Sequence, residues 1–183
     1  MSEQRSIDVS LSEIAAKAGL NSALIKYHFG SKEGLLCELA FTVTSRNIAA
    51  LSDLERANLT ARQKMERHIA GMVSLYLRYP YINSLTRSLI RSKDLPTFDM
   101  INERIMLPFS THQGAIIRQG IDSGEFKAVD PEVAYLIIVG ACDAVADGTY
   151  SMRFAHELPR GAADVRRDSV ASVVAVLMGG LCT

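Results

Sequence analysis

The sequence is poor in the features that would place it in most functional classes. Its three cysteines, Cys37, Cys142 and Cys182, are odd in number and far apart. That argues against a disulfide framework or a thiolate metal site and fits a reducing cytoplasm. Lys plus Arg balance Asp plus Glu at 20 each, so no global basic field advertises a nucleic acid. Any such partner must be met by a local patch. The longest uncharged run, SVASVVAVLMGGLCT at 169–183, is short for a membrane span and reads as a buried helix. The first residues, MSEQRSIDVS, hold no apolar stretch of signal-peptide type. No Gly-rich phosphate loop or G-x-S-x-G elbow occurs, and His68, His112 and His156 lack partners at metal spacing. The expectation is a cytoplasmic protein, outside the membrane, with no metal, no cofactor and no catalytic constellation.

What is present is helix. The 183 residues are 48% hydrophobic and 22% charged, enough for one sizeable core or a small head on a larger body. Strand patterns are scarce, and apolar residues recur at helical spacing, which predicts an all-α fold. Ser10 and Glu13 form an S-x-x-E capping box, followed by Leu11, Ile14, Ala15 and Ala18 on one face. Gly19 is a natural left-handed stop. Asn21 caps a second, two-turn helix ending near Phe29 and Gly30, in which Ile25 and Phe29, with Leu20 nearby, face inward. Ser31 opens a third helix carrying Leu35, Leu36 and Leu39. Further helices are predicted at Ala61 to Tyr79, Tyr81 to Ser92, and Pro96 to Ser123, with Pro108 a break or first-turn residue. The Asp130-Pro131-Glu132 start leads a helix to about Ala155, and a last one runs from Asp164 to Leu181.

Two short helices joined by a Gly-containing turn describe a helix-turn-helix, whose second helix lies in the major groove. Ser22 and Lys26 share one outward face of that helix, and Ala23 and Tyr27 another. No acid lies between Glu13 and Glu33, whereas Lys17, Lys26, His28 and Lys32 do. Phosphates favour that combination of cations without competing carboxylates. The alternative is an ordinary helical corner with a solvated basic edge.

The run SLSEIAAKAGLNSALIKYHFGSKEGLL resembles the DNA-binding head of the TetR family of transcriptional regulators, and GIDSGEFKAVDPE resembles the stretch before the penultimate helix of many members. The resemblance implies a helix-turn-helix head at residues 1–45 and a helical effector-binding and dimerisation domain at 46–183. By motif position, Ser22, Ala23, Leu24 and Lys26 would face bases. Tyr27, His28 and Lys32 would hold phosphates, and Ser10 and Ser12 would add hydroxyl contacts. Leu24 stands where Thr is frequent and Lys26 where Tyr is frequent, so the operator sequence does not carry over. Family heads also begin with a long amphipathic helix, and MSEQRS shows no such pattern. A helical small-molecule binding protein that has lost DNA binding is the rival reading.

In the body, Gly140, Ala144 and Gly148 recur every four residues, as do Ala171, Ala175 and Gly179. Small residues on one face let helix backbones approach closely. The resemblance implies that these last two helices pair with a second copy in a homodimer; packing against each other is the alternative. Asp143 and Asp147 lie one turn apart and read as surface or interface polarity, since no His or Cys completes a ligand set. Met65, Met72, Tyr76, Phe98, Met106, Phe109, His112 and Tyr135 populate the middle helices. Mixed Met and aromatic surfaces line adaptable cavities. Met72, Tyr76, Phe109, His112 and Tyr135 are the candidate contacts for a small-molecule effector, with Arg118 a further polar candidate.

Overall fold

The computed structural model describes residues 9–92, 94–154 and 162–183, without the side chains of 148–154 and 162–166. The described elements are α1 (Leu11–Ala18), α2 (Ser22–Phe29), α3 (Lys32–Arg56), α4 (Ala61–Arg78), α5 (Ile82–Arg91), α6 (Leu95–Ile101), a π-helical turn (Asn102–Met106), α7 (Leu107–Asp122), α8 (Pro131–Phe154) and α9 (Ala162–Leu181). The only β pairing among them is one antiparallel bridge, Phe126 to Cys182. The fold is all-α, as predicted.

Local chemistry sets the head. The Glu13 N–H donates to Ser10 Oγ while the Ser10 N–H donates to the Glu13 carboxylate, closing the capping box. Gly19 ends α1 at φ +66°, a conformation that costs a Cβ-bearing residue about 1 kcal/mol or more. The Ala23 N–H donates to Asn21 Oδ1 and the Gly34 N–H to Ser31 Oγ, so α2 and α3 start at the predicted residues. Ala15 and Ile25 are buried and pin α1 to α2. The expectation for Phe29 and Leu20 fails, since they are 37% and 51% exposed. Phe29 is the last residue of its short helix, beside the Gly30 turn, and its ring sits edge-on to His28 rather than in the seam. Leu36 is buried at the foot of α3.

From the head, α3 continues unbroken to Arg56, through residue 45 and into the body. There α4 is central, packing against α3, α7, α8 and α9. Met65, Ile69 and Val73 of α4 meet Ile116 and Ile117 of α7 in a closed core. The buried Lys64 is paired: its Nζ donates to the Glu55 carbonyl and to Gln119 Oε1. Pro108 falls in the first turn of α7, directly after the π turn. The last helix is already under way at Ala162, two residues before Asp164, and Ala155 lies outside the described residues.

The GIDSGEFKAVDPE stretch has a structural task. A Cβ on Gly120 would stand 2.1 Å from the Phe126 ring, so only glycine admits that buried aromatic. The Glu125 carboxylate then receives the N–H groups of Ala61 and Arg62, capping α4. The Arg62 N–H, helped by Ser123 and Ala61, lowers the Glu125 pKa. The Asp130 carboxylate likewise accepts from the N–H groups of Glu132 and Val133 at the start of α8.

Candidate DNA-binding surface and ligand cavity

The outer side of α2 carries the expected groups in accessible positions. Tyr27 is 83% exposed, and Ala23, Leu24, Lys26 and His28 are exposed around it. Ser22 and Lys32 are half-buried, and Ser10 and Ser12 are exposed at the start of α1. The Tyr27 and His28 rings meet edge to face, with centroids 5.3 Å apart, which orders the two side chains together. Glu13 is the nearby acid, but its carboxylate is turned to the Ser10 hydroxyl and N–H. Those bonds, and Lys32 more weakly, lower its pKa. The Ser10 hydroxyl is engaged within the cap, its oxygen accepting from the Glu13 N–H and its proton turned to the Glu13 carboxylate. The surface therefore offers lysines, hydroxyls and a histidine around one exposed helix.

In the body a cavity of about 270 Å³ opens between α3, α4, α5, the π turn, α7 and α8. Met72, Tyr76, Phe109 and Tyr135, four of the five candidate effector contacts, line it. His112 is not among the lining residues: its Nδ1 N–H donates to the Glu55 carboxylate at 2.6 Å, a hydrogen bond between α7 and α3. Arg118 is exposed and lies beside Gly114 on α7. Thr44, Asn83, Thr86 and Arg87, which are not among the residues that sequence type points to, also line the cavity. Asn83, Thr86 and Arg87 follow helical i, i+3, i+4 spacing on α5, a signal that was legible but indistinguishable from a solvated face. Burial raises the pKa of both cavity phenols, Tyr135 to about 12, so each remains a hydrogen-bond donor.

The small-residue stripes face outward. Gly140, Ala144, Ala171, Ala175 and Gly179 are exposed, and a Cβ on Gly140 or Gly179 would meet nothing within 4 Å. The helices α8 and α9 do touch each other, but not through these five residues; the side-chain surroundings of Gly148 lie outside the described residues. Val133, Leu136, Ile137 and Val176 are also exposed, Val176 at 75%. Between the start of α8 and the end of α9, Val133, Ile137 and Val176 flank a second, open groove of about 420 Å³, floored by Ile69, whereas Leu136 lines the first cavity. Among the described residues no group of three or more His, Cys, Asp or Glu is placed to hold a metal, and no helix is long and apolar enough to cross a membrane.

A helix-turn-helix joined by one long helix to a helical body defines a transcriptional regulator. Residues 3–39 match the family "Bacterial regulatory proteins, tetR family", and residues 58–183 match "Tetracyclin repressor-like, C-terminal domain". The chain belongs to the TetR family. It is 28% identical over 134 residues to the fatty acid metabolism regulator protein of Bacillus subtilis (strain 168), covering 73% of this chain and 69% of that one. It resembles the crystal structure of the transcriptional regulator FadR from Bacillus subtilis in complex with stearoyl-CoA, with a TM-score of 0.71, 26% identity and coverage of 94% and 88% of the two chains. A tetR-family regulatory protein from Rhodococcus RHA1 shares the fold, with a TM-score of 0.74, 20% identity and coverage of 96% and 87%.

Proposed function

We propose that this protein is an acyl-responsive repressor that binds a palindromic operator as a homodimer and leaves it when a fatty-acyl ligand fills the body cavity. The observation that carries this reading is that α3 serves both ends. It packs against α2 in the head, and its buried Thr44 lines the cavity. The cavity is walled mainly by aliphatic and aromatic side chains. An engineered apolar cavity of about 150 Å³ takes a benzene ring, so this one suits an alkyl segment of about ten carbons. The complex of the similar FadR with stearoyl-CoA supports an acyl chain as the occupant.

The coupling runs through the π turn. Ile105 and Met106 line the cavity, while Arg104 of the same turn holds Glu38 of α3 and lies over the Phe41 ring, 3.9 Å from its centroid. A π turn holds one residue more than the α-helical register, and such turns favour functional positions. An alkyl chain pressing on Ile105 shifts this turn and, through Arg104, the foot of α3. In a dimer built on the outward apolar faces of α8 and α9, that motion changes the spacing of the two α2 helices. Both heads then cannot occupy half-sites one turn apart together.

Fluorescence anisotropy tests this with labelled DNA from the region beside the gene, with and without dodecanoyl-CoA. The expected result is salt-sensitive binding of two chains per site, reversed by the acyl-CoA. A chain that binds acyl-CoA but no DNA at any salt concentration would instead be a binding protein without operator function. Operator binding indifferent to acyl ligands would remove the effector half of the proposal.

A further inference from the structure

We propose that Arg87, with Asn83 beside it, reads an anionic group at the end of the ligand's alkyl chain, and that Asp143 occupies Arg87 in its absence. The inference rests on the acyl-cavity reading above and adds the chemistry of the ligand's head. Among the described residues lining the cavity, Arg87 alone carries a formal charge. The Arg87 side chain is 53% exposed, whereas that of Asp143, whose carboxylate lies 3.0 Å from the guanidinium, is only 16% exposed. The cation therefore stands at the mouth with its counter-ion tucked behind it on α8.

A guanidinium has five N–H donors in a planar fork, and the Asp143 contact is a single Nη1 to Oδ2 approach. Donors remain for a second carboxylate or a phosphate ester arriving from solvent. Asn83 lies one helical turn before Arg87 on the same face and adds an amide donor; Tyr76 and Tyr135 line the same cavity with protonated hydroxyls. Thr86 is less useful, because its hydroxyl proton already goes to the Ile82 carbonyl. A ligand cation at the mouth would meet repulsion from Arg87, and an uncharged alcohol would gain little. The wall thus favours an apolar chain with a negative end. Two anions sharing one guanidinium repel each other, so ligand binding weakens the Arg87–Asp143 tie between α5 and α8.

Calorimetric titration of the full chain separates the possibilities, using dodecanoate, dodecanoyl-CoA and dodecan-1-ol on wild type, Arg87→Met and Asp143→Asn. Arg87→Met is expected to weaken at least one anionic probe by roughly tenfold or more and leave the alcohol nearly unchanged. Asp143→Asn removes the competitor without removing the cation and is expected to tighten the same probe several-fold. A loss confined to dodecanoate identifies the carboxylate as the group read; one confined to the thioester identifies the phosphates. Chains that bind equally well whatever their head group, with neither variant altering selectivity, overturn the inference and leave the acyl cavity standing. Failure of every probe to bind wild type overturns the acyl reading and this inference together.

Discussion

Gly34 and Phe29 meet at the corner between α2 and α3: a Cβ on Gly34 would stand 2.1 Å from the Phe29 carbonyl oxygen. That oxygen belongs to the backbone, so no side-chain rotation relieves the clash. Gly34→Ala is therefore expected to push α2 off α3 and to cost roughly 1–3 kcal/mol of stability, as overpacking does elsewhere. Operator affinity should fall as well, because the displaced helix is the one that would enter the groove. Thermal unfolding and anisotropy titrations check both, and a variant indistinguishable from wild type in each would refute the corner's role.

Lys26 and Tyr27 are adjacent on the exposed side of α2 but differ in charge, so they separate the two contributions to DNA binding. Lys26→Ala is expected to weaken operator binding and to lower the slope of log K against log salt by about 1, the contribution of one phosphate neutralised. Tyr27→Phe removes a hydroxyl and no charge; it should weaken binding with the slope unchanged. Isotherms for both variants that superpose on wild type across a salt series would show that this face of α2 does not touch DNA.

Much of the architecture was legible because its signals are local. The Ser10–Glu13 box, Gly19, Asn21, Ser31 and Asp130 each act within three residues of the backbone they cap, so spacing along the chain is enough to find them. The cavity is different. Met72, Tyr76, Phe109 and Tyr135 stood out by residue type, but helical periodicity does not say which helices meet. His112 looked like an equal candidate until Glu55, 57 residues away, proved to be its partner. Arg87 is hidden from the sequence for the same reason, since an arginine on an amphipathic helix reads as solvated and its partner Asp143 is distant along the chain. The inward reading of Phe29 failed because periodicity assigns a face but not whether a neighbour covers the last residue of a helix.

His68 gives the body an acid sensitivity. It is buried with its Nε2 2.9 Å from Gln113 Oε1, and burial lowers its pKa from 6.5 to about 4, against the opposing Gln113 hydrogen bond. The unfolded chain takes up this proton near pH 6.5 and the folded chain only near pH 4. The contribution is thus fully present above 6.5 and lost as pH falls between the two values, about 3 kcal/mol in all. His68→Gln keeps an amide beside Gln113, whose own Nε2 has no protein partner, and cannot titrate. Denaturant melts from pH 7 to pH 4 should show a shallower decline for the variant than for wild type. Parallel declines would mean that His68 takes up its proton at nearly the same pH in the folded and unfolded chains.

Arg104 offers a way to separate sensing from DNA binding. It belongs to the π turn that touches the cavity, yet its partners Glu38 and Phe41 lie on α3, on the head side of Thr44. Neither Arg104 nor Glu38 lies on the outer face of α2 or lines the cavity. Glu38→Gln keeps the shape of the contact and removes one charge, weakening an ion pair whose side chains are about one-third exposed. A partly exposed pair contributes only about 1 kcal/mol or less to stability, so the fold should survive the change. Operator affinity without ligand and acyl-CoA affinity without DNA are each expected to stay within about twofold of wild type. The coupling between them should shrink, since a shift of the π turn no longer pulls α3 as firmly; coupling free energies of this kind are typically about 1–3 kcal/mol, so the loss is measurable. The readout is the acyl-CoA concentration that releases half the DNA, which should rise in the variant by roughly three- to tenfold. Unchanged release would mean that the cavity reaches the head by another path, with Thr44 on α3 itself the next residue to test.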